Sequence, residues 1–263
     1  PTGIFAHSPE PITQNLKDLC QLVKEKHSDI GIAVDPDADR LVLINELGQP
    51  LGEEYTLALC TDFILKSGKR GPVVKNLSSS RAIDEIASRY SCECHSSAVG
   101  EANVAQLMEE LIKQGYPPSI GGEGNGGVML PDVHIGRDSL VGLALVLQHL
   151  ADYKIENDGK GTISQLKGTL PVYEIVKDKI ALSETFTPQK VDSILNVIKK
   201  EWETKAKVNN IDGIRIDSTN DDIGAWWVHL RKSNTEPIVR IIAEARTEQL
   251  AKERVAFFFK YFA

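Results

Sequence analysis

The sequence predicts an α/β protein: tandem α/β mixed-sheet domains followed by a C-terminal α+β domain with an antiparallel sheet. Three observations carry this. Short apolar runs alternate with helix-period segments from residue 30 to residue 152, the β-α-β-α order of a sheet covered by helices. After Pro171 the order changes to consecutive strand candidates bracketed by two helices. A length of 263 residues favours two or three domains over one.

Element by element, residues 10–27 read as a helix, with Ile12, Leu16, Leu19, Leu22 and Val23 at helical spacing and Pro11 near the start. Strands at 30–34 and 41–45 enclose an acidic loop, and Gly48 suits a turn at positive φ. Residues 54–67 read as a helix ending at Gly68. Strands at 72–76, 93–97, 119–122 and 128–130 then alternate with helices at 80–90, 103–114 and 138–152. Residues 153–169 are polar, hold three glycines and read as a linker with a short helix-like piece. Beyond it lie a strand at 173–180, a helix at 188–206, strands at 211–217, 225–231 and 238–244, and a terminal helix from 247 to 260. Domain boundaries are expected near 53 and between 158 and 170, giving 1–53, 54–158 and 170–263.

Hydrophobic residues make up 41% and charged residues 25%, ordinary for a globular chain, and the formal charge is −7. An acidic chain argues against nucleic acid as a partner, while leaving room for one small phosphorylated ligand on local Arg and backbone N–H groups. Cys20, Cys60, Cys92 and Cys94 read as reduced structural thiols in a cytoplasmic protein, since a one-residue spacing is too tight for the usual zinc or redox pair. No apolar run reaches the length of a membrane span, and no signal-peptide pattern stands at the start of the sequence as given.

The most informative stretch is Asp-Pro-Asp-Ala-Asp-Arg at residues 35–40. Three carboxylates, Asp35, Asp37 and Asp39, crowd one loop between two strands, and like charges that close need a compensating cation. Oxygen-only ligands select a hard ion, Mg²⁺ or Ca²⁺. Glu46 completes EF-hand spacing, but Arg40 stands where that loop needs Gly and the flanks are strand-like. A solvated acidic turn is the plain alternative. Arg40 adds a fixed cationic fork that suits a phosphate.

Two further loops stand out. Gly121–Gly127 holds five glycines with Glu123 and Asn125 as its only side chains, suited to sugar hydroxyls, or to nothing more than a flexible turn. Asp132, His134, Arg137 and Asp138 follow it. Residues 231–237, Arg-Lys-Ser-Asn-Thr-Glu-Pro, end a strand and make a candidate phosphate cradle from Arg231, Ser233, Asn234 and Thr235, with Arg240 on the next strand; a polar hairpin is the alternative.

This ordered set resembles the α-D-phosphohexomutases, the phosphoglucomutase and phosphomannomutase superfamily. Their metal loop reads Asp-Gly-Asp-Gly-Asp-Arg or Asp-Pro-Asp-Gly-Asp-Arg, and residues 35–40 match with Ala38 in place of Gly. Their sugar loop is commonly Gly-Glu-x-Ser-Gly-His; Glu123 matches, whereas Asn125 and Gly127 replace the Ser and His. Their phosphate loop fits residues 231–237 throughout, and Gly3-Ile4-Phe5, Pro9-Glu10-Pro11 and Asn15-Leu16 resemble the family's second domain. The Gly-Glu-Gly-Asn-Gly-Gly form with Gly136-Arg137-Asp138 looks most like phosphoglucosamine mutases, with a phosphomannomutase/phosphoglucomutase as the alternative within the family.

The resemblance implies roles. Asp35, Asp37 and Asp39 would hold Mg²⁺, with Arg40 assisting at the reacting phosphate. Glu123, Asn125 and Arg137 would bind the sugar, and Arg231, Ser233, Asn234, Thr235 and Arg240 the phosphate that is not reacting. Ligands would be a hexose phosphate and its bisphosphate. Glu101 and His134 are the candidates left for general acid/base once His is missing at 127. The family's phosphoserine loop has no counterpart here, and Ser78-Ser79-Ser80 falls in the wrong domain. The chain is therefore expected to be the C-terminal part of a mutase that begins inside domain two and needs the N-terminal domain of the same protein. A complete chain would instead be a non-catalytic module that binds Mg²⁺ and sugar phosphate.

Overall fold

Three sheets organise the chain in a computed structural model, which describes residues 3–5, 8–184, 186–219, 224–233 and 236–262. The chain divides into two compact units, Pro1–Pro171 and Val172–Ala263. The boundary expected near residue 53 falls inside the first unit.

Unit 1 begins with a 3-10 turn, Thr13–Asn15, and α1, Lys17–Lys26. The helix starts seven residues later than its periodicity suggested. Pro9 and Pro11 push the residues before them out of the helical region, and the turn at 13–15 spends the next stretch. β1 (Ile30–Val34) and β2 (Leu41–Asn45) pair antiparallel around the acidic loop, Val34 opposite Leu41. β2 is buried on both faces. Leu41 and Leu43 enter the main core with Leu57, Val128 and Val146, while Val42 and Ile44 pack with Leu16 and Val23. That two-sided burial is why β2 reads as an unbroken apolar run. Gly48 closes the following turn at φ +69.

The second sheet has the order β4-β3-β5-β6. β3 (Val73–Asn76), β4 (Cys94–Ser97) and β5 (Ile120–Glu123) are parallel, and β6 (Gly127–Met129) turns back antiparallel on β5. Helices α2 (Glu54–Lys66), α3 (Ala82–Arg89), α4 (Glu101–Lys113) and α5 (Ser139–Glu156) connect and cover it. α5 runs four residues past its expected end, and the polar stretch after it holds α6, Ile163–Gly168, fixed by a Thr162/Gln165 capping box.

Unit 2 is a five-stranded antiparallel sheet, order β7-β11-β10-β9-β8, with α7 (Pro188–Trp202) and α8 (Glu248–Phe259). The strands are β7 (Glu174–Ala181), β8 (Lys207–Asn209), β9 (Ile214–Ser218), β10 (Trp226–Lys232) and β11 (Ile238–Ala245). β8 was not expected: the helix predicted to reach 206 stops at Trp202, and three residues pair with β9. Trp226, Val228, Leu230, Val239, Ile241 and Phe258 form the core on the helix side. All four cysteines are free.

Candidate metal and sugar-phosphate site

Asp35, Asp37 and Asp39 each offer a carboxylate oxygen, and these lie within 4.8 Å of one another. The loop gets there by a tight turn. Ala38 takes φ +60, a left-handed conformation that explains why glycine suits this position, and its carbonyl accepts from Ser139 N at 3.0 Å. Asp35 is buried and accepts at Oδ1 from the backbone N–H of Asp39 (3.0 Å) and Arg40 (2.9 Å), and at Oδ2 from Arg40 Nε (2.6 Å). Burial pushes its carboxyl up, but the Arg40 hydrogen bonds outweigh that and hold it below the usual carboxylate range. Arg40 thus braces the loop, with its other arm on Glu10 at 3.3 Å. Asp39 goes the opposite way: burial and the nearness of Asp35 push it up to about 6, against the pull of Arg137.

These residues fit a hard divalent cation. The donors are all oxygen, and Asp39 Oδ1 is buried without a hydrogen-bond partner; its contact to Arg40 Nε, 3.6 Å, is too long for one. The flanks are strands, so the EF-hand reading does not hold.

The candidate sugar loop, residues 121–127, turns between β5 and β6 against this one. Leu41 N donates to Gly126 O at 3.0 Å, and a Cβ on Gly126 would meet Leu41 O at 2.4 Å, so only glycine allows the approach. Glu123 is 3% exposed, and three donors reach its carboxylate, two at Oε1 and one at Oε2. Oε1 accepts from Asn76 Nδ2 (2.6 Å) and Gly100 N (2.9 Å), and Oε2 from Arg137 Nη1 (2.8 Å). Arg137 is the hub. Its Nη2 donates to Asp39 Oδ2, its Nε faces Glu101 Oε2 at 3.3 Å, and its backbone N–H donates to Glu101 Oε1 at 2.9 Å. Arg137 also accounts for the missing histidine: a Cβ on Gly127 would meet Arg137 Cδ at 2.2 Å, so the guanidinium stem fills that space. Asn125 Oδ1 accepts from Gly127 N at 3.2 Å and shapes the turn. His134 lies outside the hub, paired at 3.0 Å with Asp138, whose other oxygen caps α5 through Leu140 N and Val141 N.

Several residues of this constellation were missed from sequence. Asn76, Ser79, Gly100 and Glu54 support the sugar loop: Ser79 Oγ accepts from Gly124 N at 2.9 Å, and Glu54 Oε2 accepts from Ser80 N at 2.8 Å. The signal was topological. Asn76 and Glu123 end parallel strands β3 and β5, Gly100 follows β4, and ligands in such sheets bind off the carboxyl ends. Lys75 was missed too: it is buried and donates to Ser80 O at 2.9 Å, holding the turn after β3 whose Ser79 accepts from Gly124 N.

In unit 2, Arg231 on β10 stands directly opposite Arg240 on β11. Arg231 is 9% exposed, and Arg240 Nη2 donates to Glu236 Oε2 at 2.7 Å. Ser233 N donates to Ile238 O at 2.9 Å, closing the loop. Lys232 turns to the helix side and pairs with Asp192 at 2.7 Å. Asn234 and Thr235 lie outside the described residues.

The family model for phosphoglucomutase/phosphomannomutase alpha/beta/alpha domain II matches residues 1–48, that for alpha/beta/alpha domain III residues 52–172, and that for the C-terminal domain residues 177–260. A probable phosphoglucosamine mutase of Pyrococcus horikoshii is 34% identical over 252 residues, covering 96% of this chain and 52% of that protein. A phosphoglucomutase/phosphomannomutase of Thermococcus kodakarensis is 35% identical over 254 residues, covering 96% and 51%. The X-ray structure of a phosphoglucomutase/phosphomannomutase family protein from Burkholderia thailandensis shares the fold, with a TM-score of 0.75 at 23% identity over 96% of this chain and 50% of that one. The chain spans about half the length of the curated relatives it matches. With three consecutive domain matches and relatives at 34% and 35% identity over 96% of its length, the chain belongs to the phosphoglucomutase/phosphomannomutase family, the α-D-phosphohexomutases.

Proposed function

We propose that this chain supplies the metal, sugar and phosphate loops of a mutase that moves a phosphoryl group between C1 and C6 of a hexose phosphate through a phosphoserine and a bisphosphosugar. Glucosamine phosphate is the first-choice substrate, supported by the name of the Pyrococcus relative. The observation that carries the reading is Arg137, which ties metal-loop Asp39 to sugar-loop Glu123 in one constellation. Three separate domain matches support a three-part division with boundaries near 53 and 170, the middle match running past the expected 158 to residue 172. The half-length coverage supports placing the phosphoserine in a part of the protein outside this chain. Free thiols suit a cytoplasmic setting, and no helix among the described residues is long and apolar enough to cross a membrane.

In this reading Asp35, Asp37 and Asp39 hold Mg²⁺, which when bound offsets charge on the transferring phosphoryl group. Arg40 keeps the loop in shape by donating to Asp35 and lends positive charge beside it. Glu123 and Asn125 orient the sugar, and Arg137 fixes the Glu123 carboxylate by donating to its Oε2 at 2.8 Å. Arg231, Ser233, Asn234, Thr235 and Arg240 grip the non-reacting phosphate, so much of the rate comes from positioning. Glu101, in contact with Arg137, is the candidate general acid/base within the constellation.

Calorimetric titration with Mg²⁺ tests the metal assignment. Asp37 is exposed, so Asp37→Ala should fold normally while losing about tenfold or more in affinity. Equal Mg²⁺ binding by the two proteins would sink it.

A further inference from the structure

The face of the unit 2 sheet turned away from the helices carries a row of cations that no single loop reveals. Directly opposite residues in antiparallel strands share a face, with Cβ atoms about 5 Å apart. Arg231 on β10 is opposite Arg240 on β11, and Arg240 is opposite Lys179 on edge strand β7. Val176 and Ile180 pack on the helix-side core, so Lys179 projects to the other face with the two arginines. Three positive charges therefore stand side by side across three strands.

The acids of this face are elsewhere. Glu244 and Asp217 lie two rows along, where Glu244 accepts from Trp227 Nε1 at 2.5 Å and Asp217 pairs with Arg215 at 2.9 Å. Within the row, Glu236 answers Arg240 alone. Arg240 Nε is buried without a hydrogen-bond partner, and the exposed ammonium of Lys179 makes no ion pair among the described residues. Like charges directly opposite each other are destabilising, and a bound dianion would reverse the sign of that interaction.

We propose that Lys179 is a further phosphate-contacting residue. A phosphate monoester would bridge Lys179 and Arg231 over Arg240, the lysine acting as a point charge beside the arginine fork. The site then extends from Arg231 at the end of β10 across the sheet to β7. This rests on the reading of Arg231 as a phosphate ligand. The competing account is that Lys179 only guards an edge strand against pairing with another chain, which predicts no effect on ligand.

The test is titration of the 263-residue chain with glucosamine 6-phosphate, and in parallel with inorganic phosphate, for wild type, Arg231→Ala, Lys179→Ala, Lys179→Arg and Lys252→Ala. Lys252 pairs with Glu248 on α8 and controls for loss of one positive charge. Lys179 is exposed, so its variants should fold, and the tryptophan fluorescence of unit 2 checks that they do. Lys179→Ala should weaken both ligands about three- to tenfold, Lys179→Arg less than about twofold, and Lys252→Ala not at all. If Arg231→Ala weakens binding while Lys179→Ala matches Lys252→Ala, this inference fails alone. If wild type binds neither ligand, or Arg231→Ala binds as wild type does, the phosphate-loop reading falls with it.

Discussion

Replacing Arg137 with methionine will destabilise unit 1 by about 3 kcal/mol at pH 8, the low end for breaking a buried ion pair. The side chain is 15% exposed and answers three carboxylates, those of Asp39, Glu101 and Glu123. Methionine keeps the stem against Gly127 while removing the charge. Glu123 and Asp39 are then left in a half-dry site. Asp39 already titrates at about 6 with the guanidinium beside it, and without it that value rises further. The loss should therefore shrink as pH falls, because a carboxyl whose folded pKa lies above its unfolded value takes up a proton that relieves the strain. Lys69→Met is the control: its pair with Asp132 is exposed, and its removal should cost under about 1 kcal/mol. The three tryptophans, Trp202, Trp226 and Trp227, all lie in unit 2, so hydrogen exchange of β2 and β5 amides is the measurement for unit 1. A deficit below that of Lys69→Met, or one that grows on acidification, would contradict the hub role.

Unit 2 should lose about 3 kcal/mol between pH 7 and pH 4 through His229 alone. The ring is buried and donates from Nε2 to Asp212 O at 2.6 Å. Burial, together with the charges of Arg215 directly opposite and Arg231 two residues along, drops its pKa to about 4 against the Asp212 contacts. The unfolded chain binds the proton near 6.5, before the folded one does. Stability is thus complete above pH 6.5 and drains away as pH falls towards 4, each pKa unit being worth about 1.4 kcal/mol. Urea denaturation followed by tryptophan fluorescence reads this directly. His229→Gln keeps a donor for Asp212 without a titrating ring, so its stability should fall by about 3 kcal/mol less over the same range. Parallel curves would show that His229 is not the titrating group.

Much of the fold was legible because its signals are local. β1 and β2 fall where the apolar runs place them, and Gly48 takes the expected positive φ. The clustering of Asp35, Asp37 and Asp39 was legible because the three carboxylates stand at alternate positions of one short loop. What escaped was non-local. The guanidinium of Arg137 reaches back 98 positions to Asp39, and nothing in the Gly136-Arg137-Asp138 triplet announces that reach. Asn76 looks like an ordinary strand end until Glu123 is placed beside it. β8 has only three residues and forms because β9 offers it an edge, a tertiary effect that overrides the helix pattern before it. Lys179 reads as a solvated lysine on an alternating strand, and only the register across β11 sets it in line with Arg240 and Arg231.

One ³¹P NMR experiment tests the central claim. Glucosamine 6-phosphate is added to the 263-residue chain with Mg²⁺, and the phosphorus signals are followed over hours. The account predicts a saturable shift of the 6-phosphate line with a dissociation constant on the order of 0.1–1 mM. No 1-phosphate line should grow, because no residue of this chain is assigned as the phosphoserine. A 6-phosphate line that does not move at several millimolar protein, or a 1-phosphate line that accumulates with turnover, would contradict it.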